Sequence, residues 1–128
     1  MKVQLLRLDV PNGNGRCYTT EAVEAAIKKL NGAPLLGTIG IPEPNGDGNS
    51  FINLDIRKVS HTVSNLRIED GFLVGDMKIL QTDPGSELSF MLDSVAFRPN
   101  SIGKVSTDGF VSDLTFVSVS AVDKEQAA

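Results

Sequence analysis

The chain has a single histidine, His61, so any catalytic triad that needs an imidazole base must run through it. It sits in VSHTVSNL, where a two-residue period puts Val59, His61 and Val63 on one face of a strand. A base aimed into a cleft is one reading of that pattern. A hydrogen-bonded histidine inside a sheet is the better one, because no metal or triad partner stands at a recognisable spacing. The candidate nucleophiles are Ser101, Ser106, Ser118 and Ser120. None lies in a glycine-flanked elbow, and serines near strands are usually bonded to water or backbone. Cys17 follows Arg16, the kind of neighbour that makes a thiol reactive, yet lone cysteines are more often inert. Asn45, Asp47 and Asn49 alternate oxygen ligands as a calcium loop does, but no acidic residue follows to close the site. Gly13 and Gly15 are not followed by the lysine and helix start of a phosphate loop. Spacing alone therefore assigns no catalytic constellation, no metal and no cofactor.

One further stretch, LGTIGIPE at residues 36–43, has the form of a presenting loop without a chemical group to present. Its glycines and proline predict a turn over Gly37–Pro42, with Ile41 held between Gly40 and Pro42. Isoleucine can neither give nor take a proton.

The elements that would position these residues read as strands with two helices interspersed. Lys2–Val10 is strand-like, with Leu6, Leu8 and Val10 on one face and Arg7 and Asp9 on the other. PNGNGR at residues 11–16 is a turn cluster. Thr19 or Thr20 caps a helix running to about Leu30, with Val23, Ile27 and Leu30 as its apolar stripe and Asn31-Gly32 as its stop. Ala33–Leu36 is a short apolar run, Glu43–Ser50 an exposed loop, and Phe51–Ile56 a short strand. Lys58–Ile68 and Phe72–Leu80 form a hairpin with Glu69-Asp70-Gly71 at its tip. Asp83-Pro84 opens a second helix whose buried stripe is Leu88, Met91 and Leu92, ending near Asp93. Val95–Phe97 and Gly103–Ser106 flank an irregular piece. Thr107-Asp108-Gly109 is another hairpin tip, leading into a long strand region, Phe110–Val122. The expected class is α+β: one domain over residues 1–128, a mostly antiparallel sheet or barrel with two helices.

Composition agrees with one folded domain. The 128 residues are 41% hydrophobic and 22% charged, which suits a packed core and not wholesale disorder. A net charge of −4 and scattered lysines and arginines argue against nucleic acid or an anionic membrane as partner. A single cysteine excludes an internal disulfide and disfavours a cysteine-based zinc site. MKVQLLRLDV carries Arg7 and Asp9 inside its apolar stretch, so it reads as neither signal peptide nor membrane span.

Four stretches taken in order resemble the prohead (capsid maturation) protease family of tailed phages, related to the herpesvirus assemblin fold. PNGNGRCYTTEAVEAAIKK is similar to that family's Asn-x-Asn-x-Arg-x-Tyr turn and following helix, through Asn12, Asn14, Arg16 and Tyr18. KVSHTVSNLRIEDGFLVGDMKILQTDPGSEL resembles its central hairpin and helix, including Gly75, Ile79-Leu80 and Pro84-Gly85. SVAFRPNSIGKV and LTFVSVSAV resemble the segment after that helix and the C-terminal strand. The resemblance covers residues 8 to 122 approximately.

It implies a protease fold, and it also implies where the chemistry should be. The family's Leu-Gly-Glu-Leu-Asp/Asn-His-Pro corresponds to LGTIGIPE, which puts Ile41 at the place of the catalytic histidine. Its Gly-Val-Ser-Ser-Arg-Gly-x-Gly corresponds to Ala96–Gly103, which puts Arg98 and Pro99 at the serine positions. The acidic residue of its last strand corresponds to Ser120. A serine hydrolase without base and nucleophile keeps about 10³–10⁴-fold over water, no useful rate for a peptide bond. Pro99, lacking an N–H, also removes a backbone donor near the implied oxyanion site.

The resemblance therefore implies a non-enzymatic virion protein, a capsid decoration (cement) protein on an inactivated protease fold. Its expected partners are the major capsid protein and further copies of itself, as a homo-oligomer or lattice-bound. Ile39, Ile41 and Phe97 are the expected apolar contacts. An internal scaffold or core component is the variant within that class. The alternative is an active endopeptidase with a relocated site, His61 pairing with Ser101 or Ser120. A binding module unrelated to phage is the third reading.

Overall fold

The computed structural model describes residues 1–13, 15–40 and 56–124. It contains, in chain order, β1 (Lys2–Arg7), α1 (Thr20–Leu30), β2 (Leu35–Ile39), β3 (Val59–Glu69), β4 (Phe72–Ile79), α2 (Asp83–Phe90), β5 (Val95–Val105) and β6 (Val111–Asp123). Short 3-10 turns at Ile56–Lys58 and Leu92–Ser94 lead into β3 and β5. The expected strand Phe51–Ile56 and the loop Glu43–Ser50 lie outside the described residues, apart from Ile56, which opens the first 3-10 turn.

The six strands form one sheet in the order β1-β4-β3-β2-β6-β5. Every neighbouring pair is antiparallel except β2 and β6. The sheet curls until β1 approaches β5, a half-barrel with α1 laid against β6 and β3. The α+β class expected from the sequence is the class observed.

Local chemistry explains the elements that the sequence announced most plainly. Thr19 caps α1 by accepting a hydrogen bond from the Ala22 N–H at 3.2 Å. The Asp9 carboxylate receives the Thr20 N–H at 2.9 Å and also its hydroxyl. Those two bonds, the hydroxyl's first, hold the Asp9 carboxyl below its ordinary pKa. At the other end Asn31 (φ 50°) and Gly32 (φ 81°) leave the helix in left-handed conformations. Lys29 there donates to the Leu114 carbonyl at 3.0 Å, tying α1 to β6. The β3–β4 hairpin turns on Asp70 and Gly71, both at positive φ, the geometry that matches the right-handed twist of the strands.

Four expectations need correction. In β1 the buried residues are Val3 and Leu5, with Leu8 just beyond its end, not a continuous Leu6, Leu8, Val10 face. A bulge makes Gln4 and Leu6 pair with adjacent Val74 and Leu73, so the side-chain alternation shifts there. The cap of α2 is Thr82, whose oxygen accepts from the Gly85 N–H at 3.1 Å, and α2 ends at Phe90. The expected irregular piece around Arg98-Pro99 is continuous strand, paired with β6 from Val95 to Val105 through two bulges. Proline is tolerated there because β5 is an edge strand. Finally, Gly37–Ile39 is strand, not turn; the chain leaves the sheet at Gly40 (φ 82°), whose N–H still donates to the Ala121 carbonyl at 2.8 Å.

Gly37 is the tightest point of the sheet. It pairs with His61 on one side and Val119 on the other, and a Cβ there would strike the His61 ring and the Val119 carbonyl together. Gly37→Ala is therefore expected to cost at least about 3 kcal/mol of stability, read as a loss in urea or thermal unfolding. A double variant that also trims His61 to alanine should not recover it, since the backbone carbonyl remains in the way.

Candidate functional site

The only imidazole of the chain is enclosed. His61 has no exposed surface, and its ring meets Phe97 edge-on at 5.2 Å between centroids. Its Nδ1 lies 2.8 Å from the Ser60 hydroxyl, itself fully buried. Strand alternation would send Ser60 to the opposite face. The pairing of Thr38 with Val59 and of Gly37 with His61 leaves Ser60 as the extra residue of a bulge, which turns it back toward the ring. Nε2 lies toward the Val119 carbonyl without reaching hydrogen-bonding geometry to any group. Burial lowers the His61 pKa to about 4, against the smaller opposing pull of the Val119 carbonyl. A base needs a path to a substrate proton, and this ring has none among the described residues.

The second polar cluster lies on the other face of the sheet. Thr38 pairs with Ser120 and Ser120 with Arg98, one row along from Gly37, Val119 and Pro99. Adjacent rows point to opposite faces, so Ser120 and His61 are back to back across the sheet. Ser120 is fully buried, and the Asn100 amide donates to its hydroxyl at 2.7 Å and to that of Ser118 at 2.9 Å. Ser101, half-buried, is one residue beyond, opposite Phe116. Ser106 sits in the exposed β5–β6 turn, its hydroxyl accepting from the Phe110 N–H. Cys17 is buried, and its backbone bridges the Pro11 turn to Phe110.

The positions singled out by the family resemblance are scattered in character. Arg98 is exposed on β5, Pro99 beside it is half-buried, and Ser120 is sealed under the Asn100 amide. The register brings Arg98 and Ser120 side by side but brings neither to His61. Ile41, with Asn45, Asp47 and Asn49, lies outside the described residues. Of the expected apolar contacts, Ile39 is half-buried against the core, and Phe97 is buried at 8% exposure on the His61 ring. Phe97 is thus a core residue and offers no surface to a partner. The exposed large apolar side chains are others, among them Phe90 at 92% exposure and Ile102, Val105 and Phe110 around the β5–β6 tip. Sequence reasoning missed Ser60 and Asn100. Nothing in the two-residue period could have found Ser60, because its position depends on the bulge.

Among the described residues no group of three or more histidine, cysteine or acidic side chains is placed to hold a metal ion. A groove of about 430 Å³ runs along the end of β4 and one side of α2, from Ile79 to Ser89.

No family model matches the sequence, and no curated protein matches it. A solved structure does. The chain is similar to the bacteriophage T4 capsid assembly protease gp21, with a TM-score of 0.71 over 95% of this chain and 79% of that one. The fold is therefore the α+β, half-barrel fold of a phage capsid assembly protease. At 20% identity the likeness is one of fold.

The Asn100 cluster gives a direct test of how much the buried polar face contributes. Asn100→Ala strips two buried hydroxyls of a shared donor and is expected to cost about 1–3 kcal/mol, measured by denaturant unfolding. Adding Ser118→Ala and Ser120→Ala should return part of that loss, because no buried oxygen is then left without its amide.

Proposed function

We propose that this chain is a non-enzymatic phage structural protein, a capsid decoration (cement) protein built on a protease fold. The observation that carries the reading is a contrast. The fold is shared with a capsid assembly protease along nearly the whole chain, while Ile41, Arg98, Pro99 and Ser120 stand where the family resemblance expects base, nucleophile and acid. None of the four can act as base and nucleophile together at neutral pH.

The relocated site fares worse on geometry. His61 is enclosed, its nearest hydroxyl is the equally buried Ser60, and Ser120 faces the other side of the sheet. The partners of the decoration reading are the major capsid protein and neighbouring copies on the shell. Many weak contacts on a symmetric lattice bind by avidity, so a small domain suffices. Virion localisation follows from the same reading, and an internal scaffold or core role is its variant.

Two measurements separate these readings. Quantitative mass spectrometry of mature particles should find the protein in many copies per virion, and treatment with an external protease should remove it if it decorates the outside. Absence from mature virions would sink the decoration reading. Purified protein incubated with a serine-directed fluorophosphonate should remain unlabelled. Labelling that is lost in Ser101→Ala or Ser120→Ala would establish the endopeptidase instead.

A further inference from the structure

The seam between β3, β2 and β6 contains a titratable group and, among the described residues, no charge to balance it. His61 is fully buried on β3, and its side chain reaches across Gly37 of β2 toward the Val119 carbonyl of β6. Each neighbouring element lacks a counter-ion at that point. β2 is LLGTI, without a titratable residue, and Ser118–Val122 of β6 has none either. β5 presents the Phe97 ring, while Arg98 lies in the row that faces the other way. β4 sets Ile79 opposite His61, and the adjacent Lys78 is exposed. The charged residues of α2, Asp83 and Glu87, and those of α1, Glu21, Glu24, Lys28 and Lys29, are all exposed.

We propose that Ser60 and His61 form an acid-sensitive latch on β2, holding it between β3 and β6 while the ring is neutral and releasing it on protonation. In the neutral state the Ser60 hydroxyl donates to Nδ1, which places the ring hydrogen on Nε2, an assignment made from the neighbours. A second proton, taken from water, must bind at Nδ1. Ser60 then has to turn and accept from Nδ1–H, leaving its own hydrogen only the Gly37 carbonyl, 3.5 Å away. The ring becomes a cation over Gly37 with a poor set of acceptors and, among the described residues, no carboxylate in reach. The cost falls on β2, a five-residue strand whose hold on the sheet is its pairing to β3 and β6. The β3–β4 hairpin and the β5–β6 ladder do not depend on that row and remain formed.

The sign of the effect follows from burial. The folded ring binds its proton only near pH 4, whereas a free histidine does so near 6.5. The latch therefore acts fully above pH 6.5 and is lost as pH falls from there toward 4, opening growing about tenfold per pH unit. The carboxyls of Asp9, Glu69 and Asp76 are held below their ordinary values by hydrogen bonds, so their contributions are lost at lower pH. Among the described groups with a shifted pKa, the interval from 6.5 to 4.5 belongs to His61.

The test uses the intact chain and its single histidine. Proton NMR follows the His61 ring signal, and amide exchange corrected for intrinsic rates follows each strand at pH 7, 6 and 5. The expected result is a ring that titrates well below 6 in the folded protein. Exchange of the Gly37, Thr38 and Ile39 amides should speed up roughly tenfold per unit below pH 6.5, with Val74 and Met77 on β4 unchanged. His61→Gln should remove this dependence, with His61→Phe as the second variant should the first not fold. If neither folds, the wild-type titration and strand-resolved exchange decide alone. A ring titrating near 6.5 in the folded state, equal acceleration in all strands, or the same dependence in a folded variant would overturn the proposal.

Discussion

The His61 ring lying over Gly37 is the contact on which the joining of the sheet's two halves depends. β2 is short, and it is the strand that joins the β1-β4-β3 half of the sheet to the β6-β5 half. Gly37 supplies the missing side chain that lets the ring cross, and the ring fills the space that glycine leaves open. A larger residue at position 37 would push apart both neighbours at once. A smaller one at position 61 would leave a cavity where Phe97 now packs. The two halves of the molecule are thus joined by a matched pair, one residue with no side chain and one with a flat one.

Much of this architecture is legible in the sequence where signals are local. α1 has a threonine cap, acidic and basic ends in the right order and an asparagine-glycine stop, all in one continuous stretch from Thr19 to Gly32. The β3–β4 hairpin has two alternating runs around an Asp-Gly turn. What was not legible depends on partners far along the chain. The stretch around Arg98-Pro99 reads as irregular because proline is counted against strand, and only its edge position beside β6 makes it one. Gly37–Ile39 reads as turn because glycines dominate it, yet it is flanked by β3 and β6 and becomes sheet.

The candidate site shows the same division. That His61 belongs inside a sheet follows from alternation, and the structure has it there. Its partner Ser60 does not follow, since a bulge reverses the expected direction of one side chain. Phe97 has the sequence look of an exposed knob beside an irregular segment, and becomes core once that segment is strand. Chemistry that rests on residue type was readable, and chemistry that rests on which face a side chain takes was not.

The parallel pairing of β2 with β6 carries a kinetic meaning. Gly37 meets Val119 across most of the chain's length, and β6 is the last of the six strands in order. Such a long loop must be closed, at an entropic cost, before the pairing returns any energy. The two antiparallel hairpins need no such closure and form from neighbours in sequence. Topology thus makes assembly a joining of two preformed wings, with the slot over Gly37 as the last place to fill.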